Sequence, residues 1–265
     1  MAPIHSYVLW FSQRVGSTVF AQALEDTGVL GRPREWFNND AGAAGVLAMH
    51  GASDAFELRE LLWKEATTSN GVLAIKYGMH ADHHQQLMSL LGTVVDDRSE
   101  SGGRAAWDAF FPRCKHVFMT RRDKVRLAIS WWRAINTGEW HRPARPEPTA
   151  FDGPSGRVPA RPRSIDDERA YDYDAIAHLV YEACVREADI QRQLERWAVT
   201  PYTVIYEDLV DNFEPTVRGV LEFLDISDAH NASIARPAFA RLADDVSERW
   251  YERYLRERSD KTSGS

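Results

Sequence analysis

The chain has 265 residues, 44% of them hydrophobic and 27% charged, a balance that excludes disorder and suits one large globular unit. Its formal net charge of −7 argues against general nucleic-acid binding, which needs a basic surface, yet leaves room for a local basic pocket. Cys114 and Cys184 lack metal-ligand spacing, no apolar run reaches membrane-spanning length and no basic-then-apolar leader opens the chain, so a metal-free cytoplasmic protein is expected.

Residues 5–11 are a short apolar run that reads as a strand, breaks into QRVGST and enters a helical stretch with Val19, Ala23 and Leu24 on one face and Gly28 as terminator. Further strands are expected at 71–76, 115–120 and 202–206, separated by helical patterns at 53–66, 80–92, 124–136, 172–197, 214–224 and 241–258. This alternation predicts an α/β fold, a phosphate-loop-like three-layer arrangement with a mostly parallel sheet flanked by helices. A single domain is expected over residues 1–258, with a flexible tail at 259–265. The Pro/Arg/Gly-rich stretch 141–166 reads as a long loop, over the substrate or at a dimer contact, and 93–106 as a second polar connection.

Chemistry is expected at the carboxyl ends of parallel strands. The first end carries Gln13, Arg14, Val15, Gly16, Ser17 and Thr18 and runs straight into a helix, whose exposed N–H groups and positive dipole end suit a phosphate. A simpler reading is a Ser/Thr-capped helix, but the strand–loop–helix context favours a ligand. The nucleoside-triphosphate loop GxxxxGK[ST] is not reproduced, because Phe11 stands at its first glycine and Ser17 at its lysine. The third strand ends in Thr120-Arg121-Arg122-Asp123, followed by a helix whose expected core stripe is Val125, Ala128, Ile129, Trp132 and Ile135, with Ser130 nearly opposite and Leu127, Trp131 and Ala134 covering that side as well. Arg121 and Ser130 can hold a second phosphate, or Arg121 can pair with a carboxylate.

Several other residues keep two readings. Lys76, at the end of the second strand, either assists a leaving group or is a solvated strand end. His80, His83 and His84 lack a carboxylate or cysteine at metal spacing and read as a solvated helix face, with a histidine as an alternative general base. Trp140 either shapes a groove or packs, and His178 reads as an interior histidine. On residues alone, Glu35 is an exposed carboxylate paired with Arg32 or Arg34.

The stretches SQRVGST (12–18), TGVLGRPREWF (27–37), GVLAIK (71–76), TRRDKVRLAISWWRAINTGEWH (120–141), YDYDAIAHL (171–179), YEDL (206–209) and SERWYERY (247–254) run in one order with a known pattern. In them the chain resembles the bacterial Stf0-type sulfotransferases. The resemblance implies a donor, 3′-phosphoadenosine 5′-phosphosulfate (PAPS), and its product adenosine 3′,5′-bisphosphate (PAP), with no metal. It implies that Arg14, Val15, Gly16, Ser17 and Thr18 hold the 5′-phosphosulfate, and that Arg121 and Ser130 hold the 3′-phosphate. It also implies Glu35 as general base and Gln13, Arg32, Pro33, Arg34, Glu35, Trp36 and Phe37 as acceptor contacts. A carbohydrate or glycolipid hydroxyl is the implied acceptor, and an element-exchanging homodimer the implied assembly. A hydroxylated or glycosylated secondary metabolite is the alternative acceptor; a phosphotransferase or a non-catalytic nucleotide-binding homologue is the alternative function. Arg34, Trp36 and Leu127 depart from the residues usual at their places in the pattern.

Overall fold

In the computed structural model, which describes residues 2–39, 41–95, 103–140, 170–229, 231–235 and 244–263, four strands make one parallel sheet in the order β2-β1-β3-β4. In chain order the elements are β1 His5–Phe11, α1 Ser17–Glu25, α2 Gly42–His50, α3 Ala55–Glu65, β2 Val72–Tyr77, α4 Ala81–Gly92, α5 Arg104–Phe110 and β3 Cys114–Thr120. They continue with α6 Lys124–Thr137, α7 Tyr173–Arg196, β4 Tyr202–Ile205, α8 Tyr206–Asp211, α9 Phe213–Leu224 and α10 Asp245–Ser263.

β1 lies between β2 and β3 with helices packed on both faces of the sheet, so its sequence is almost continuously apolar. The alternation of side chains still divides the interior in two. Tyr7, Leu9 and Phe11 enter one core with Phe20 and Leu24 of α1, Val125 and Ile129 of α6, and Val217 and Leu221 of α9. Val8 and Trp10 enter the other with Leu58 and Leu62 of α3, Trp107 and Phe110 of α5, and Leu91 of α4. The result is helix, sheet, helix. α7 serves both cores: Ile176, Leu179 and Ala183 belong to the first and Ile190 and Leu194 to the second.

Some expectations need correction. α2, α8 and much of α5 lie where no helix was expected, and α10 runs to Ser263, through most of the presumed tail. On α6 the buried set is Val125, Leu127, Ala128, Ile129, Trp131 and Ala134, whereas Trp132 is half-buried and Ile135 is 48% exposed. The helix is packed on two sides, so its covered surface is wider than one stripe and is rotated away from Ile135. His178 is exposed and not interior. The loop at 141–166 lies outside the described residues.

The second core encloses two histidines. Trp10 Nε1 donates to His116 Nδ1 at 2.9 Å, and Tyr77 Oη lies 3.1 Å from His84 Nδ1. His84 is therefore buried among Tyr77 and Trp197, contrary to the solvated face read from the sequence. Burial pushes both imidazoles down from 6.5 to about 4. The unfolded chain consequently takes up these protons first. Stability is complete above pH 6.5 and is lost as the pH falls toward about 4, at about 1.4 kcal/mol per pH unit per histidine. Denaturant unfolding across that window should show His116→Gln with a shallower slope by roughly one histidine's share; an unchanged slope would remove His116 from this account.

Candidate active site

The parallel register brings the ends of β2, β1 and β3 to one edge, with Trp10 opposite both Tyr77 and Phe118. At the end of β1 the chain turns through Arg14 and Gly16, both with positive φ (65° and 78°). Gly16 is required twice over, since a Cβ there would also sit 2.8 Å from the Tyr206 ring. α1 then begins with Ser17 and Thr18, both buried, and Val15 is buried in the first core. No side chain caps α1 among the described residues, as is also true of α2, α4, α5, α8 and α9, and its first turn has no acidic group. The start of α1 is thus not the Ser/Thr-capped end that the sequence also allowed. Its amides face the strand edge without a side-chain acceptor, the arrangement that suits an anion.

On the β2 side of this helix start stands Lys76. Its side chain is only 3% exposed, so it is no solvated strand end. Its ammonium lies 2.7 Å from Glu35 Oε1, donates to Thr18 Oγ1 at 3.1 Å and sits 4.8 Å from the centre of the Phe11 ring. Glu35 Oε2 also accepts from Asn38 Nδ2. Glu35 is carried there because the backbone N–H of Lys76 donates to the Arg34 carbonyl at 2.9 Å, laying residues 34–35 beside β2. The pairing expected from sequence does not form: Arg34 binds Glu25 at 2.5 Å, and Arg32 donates to the Glu65 carbonyl. Pro33 is buried, and Trp36 and Phe37 are packed into the second core, Trp36 against His50 and Phe37 against Tyr77 and Phe111.

On the β3 side Arg14 turns away from α1 toward α6. Its Nε donates to Ser130 Oγ at 2.9 Å, and its Nη1 donates to the Trp140 carbonyl. Arg121 lies near it, stacked 4.4 Å above the Tyr206 ring; its Nε is 3.8 Å from Glu207 and makes no hydrogen bond. Burial, then the charge of Arg121, pushes Arg14 down to about 10, and burial lowers Arg121 as well. Two desolvated guanidiniums side by side are costly without an anion between them. The orphaned Arg121 Nε and the buried Gln13 Oε1, also without a partner, point to a polar ligand at this edge. Among the described residues no group of three or more His, Cys, Asp or Glu side chains can hold a metal ion, and no helix is long and apolar enough to cross a membrane.

The profile of the Stf0 sulphotransferase family matches residues 6–257. The chain belongs to that family. It is 29% identical to the trehalose 2-sulfotransferase of Mycolicibacterium smegmatis over 95% of each chain, and 25% identical to that of Mycobacterium tuberculosis (strain Erdman) over 96% of each. Among solved structures it is similar to the sulfotransferase domain of the Synechococcus PCC 7002 olefin synthase, at 13% identity and a TM-score of 0.37, with 96% of this chain and 95% of the other covered.

For this Stf0 sulphotransferase the YEDL stretch has a structural role that its letters alone did not disclose. Tyr206 packs on Gly16 and under Arg121. Glu207 accepts from the backbone N–H groups of Arg122 and Asp123, Asp208 binds Arg122 bidentately at 2.9 and 2.7 Å, and Leu209 is buried in the first core. One helical turn thereby braces both loops of the strand edge. The sequence reading also missed Glu187 and Lys124, which pair at 2.7 Å beneath these loops. Arg186 on α7 was missed too; it stacks 4.7 Å from the Trp131 ring, beside Glu182.

Proposed function

We propose that this sulfotransferase moves the sulfuryl group of PAPS to a hydroxyl of a carbohydrate acceptor, with trehalose or a similar neutral sugar as the first candidate. The observation that carries the proposal is a continuous line of contacts along the strand edge. It runs from Glu35 through Lys76 to Thr18 at the start of α1, back along the loop to Arg14, and on to Ser130, with Arg121 within electrostatic reach of Arg14. A base, an anion-binding helix start and a second, dicationic anion site thus follow one another. PAPS carries its charge in the same order: the reactive phosphosulfate at 5′, then a dianionic phosphate at 3′.

In this reading the backbone of residues 14–18, with the Ser17 and Thr18 hydroxyls, receives the 5′-phosphosulfate, and Arg121, Ser130 and Arg14 receive the 3′-phosphate. Glu35 takes the proton of the attacking hydroxyl as the new S–O bond forms. The S–O bond to the phosphate breaks in line with it, and PAP leaves with the added negative charge. The α1 amides and Lys76 are positioned before the reaction where that charge develops, which is how such donors lower a barrier. As Glu35 gains the proton it releases its hold on Lys76, whose ammonium remains within reach of Thr18 and the donor loop. Gln13 and the segment from Arg32 to Asn38 border the acceptor side; since Trp36 and Phe37 are buried, they act there through packing.

The test is incubation of pure protein with PAPS and trehalose, followed by mass spectrometry. A sulfated disaccharide with equimolar PAP supports the reading. PAP formation that no sugar in a panel accelerates removes carbohydrate from it. A second expectation concerns Arg121. Arg121→Ala should weaken PAP binding about tenfold to a hundredfold while leaving 5′-AMP affinity nearly unchanged, because a charge-assisted pair to the 3′-phosphate is lost. Equal affinity of the variant and the parent for PAP would take Arg121 out of the donor site.

A further inference from the structure

The two anion-binding loops belong to different strands and are joined by no backbone hydrogen bond among those described between residues 12–16 and 120–123. Besides the packing of Tyr206 on Gly16 and under Arg121, what ties them by hydrogen bonds is a carboxylate from α7. α7 passes from the first core to the second across the strand edge, and Glu187 sits between Ala183, the last of its residues in the first core, and Ile190, the first in the second. Glu187 is 8% exposed. Its Oε1 accepts from Ser12 Oγ at 3.1 Å, two residues before Arg14, and its Oε2 accepts from Thr120 Oγ1 at 2.9 Å, the residue before Arg121. Both oxygens lie 2.7 Å from Lys124 Nζ, which also donates to Thr120 Oγ1 at 3.0 Å and to the Arg121 carbonyl at 2.5 Å.

We propose that Glu187 is a positioning residue for the donor, fixing the distance between the 5′-phosphosulfate loop and the 3′-phosphate site. The proposal rests on the PAPS reading given above. A buried ion pair of this kind is a weak source of net stability, since well-packed apolar groups often serve as well. Its location gives it another use. A nucleotide with two phosphates on one ribose binds as a chelate, and it exceeds either single-phosphate ligand only if the two subsites are held at the spacing of the ligand. Glu187 accepts from one residue next to each subsite and is neutralised by Lys124, so the two loops move as one body. Lys124 is in turn occupied by Glu187 and does not add a third free cation beside Arg14 and Arg121.

The test compares PAP, 5′-AMP and 3′-AMP by calorimetric titration in the parent protein and in Glu187→Gln, with the melting temperature of each. Glutamine keeps the shape and one acceptor oxygen but loses the charge that holds Lys124. The expected result is a fall of about tenfold or more in PAP affinity, with both monophosphates within about twofold of the parent. Undiminished preference for PAP overturns the proposal, and so does a parallel loss of all three ligands with a lowered melting temperature, which is the signature of a merely structural residue. If Glu187→Gln does not fold, Ser12→Ala and Thr120→Val each remove one strut and should lower the preference for PAP in the same direction; if neither does, the proposal fails. A parent protein that binds PAP no better than 5′-AMP is a different result, and it overturns the PAPS reading itself.

Discussion

Glu35→Gln should lower turnover by about two orders of magnitude or more while leaving PAP affinity unchanged. A sugar hydroxyl is a weak nucleophile at neutral pH, so removing the group proposed to accept its proton should fall on the chemical step. Glu35 is held by a buried ammonium at 2.7 Å and by a backbone bridge from Arg34 to β2, and glutamine fits the same space. Lys76 then keeps Thr18 Oγ1 and an amide oxygen as partners, so the fold and the α1 loop survive the change. Single-turnover rates with PAPS and trehalose, set beside PAP titrations, separate the two quantities. Near-parental turnover would transfer the role to another group, and His80, next along the edge after Lys76, would be the first to examine.

Arg14→Met should have an effect of the same order or larger, and of another kind. Arg14 is the one side chain that belongs to the first loop and also binds Ser130, so its loss should both weaken PAP binding and lower kcat, reducing kcat/KM by about 10³-fold. Lysine should not restore it, because a single ammonium cannot donate from Nε to Ser130 and from Nη1 to the Trp140 carbonyl in one plane. The unliganded variant should melt no lower than the parent, since burial and the neighbouring Arg121 both disfavour the Arg14 cation. Steady-state kinetics and calorimetry check the two halves together; a variant with parental kcat/KM would show that Arg14 does not face the donor.

The strands and the loop from β1 into α1 were legible because their signals are local. β1 is a continuous apolar run between turn residues, and Arg14-Val15-Gly16-Ser17-Thr18 follows it directly, so the sequence itself sets strand end, loop and helix start in order. α2 escaped because GAAGVLAMH has small and apolar residues all round and no polar face to reveal a period. The packing phase of α6 was half legible: Leu127, Trp131 and Ala134 near Ser130 already marked a second covered side, and all three are buried, but nothing within residues 124–137 announces that Ile135 is left exposed. The bracing groups were the least legible. Ser12 and Glu187 are separated by 175 positions, Thr120 and Glu187 by 67, and a glutamate in the polar register of a long helix looks like any other. Glu35 shows both sides of this: the chain pattern drew attention to it, yet its partner is Lys76, supplied by strand pairing, and neither of the adjacent arginines.

The central claim is that one ligand carrying phosphate at both ends of its ribose spans the start of α1 and the site of Arg14, Ser130 and Arg121. Calorimetric titration of the parent protein with PAP, ADP and ATP in the absence of magnesium tests it most directly. The account predicts tight binding of PAP and weak binding of the other two, because only PAP presents a 3′-phosphate to Arg121 and Ser130. Equal affinities, or a preference for ATP, would contradict it and leave the paired arginines without the ligand assigned to them.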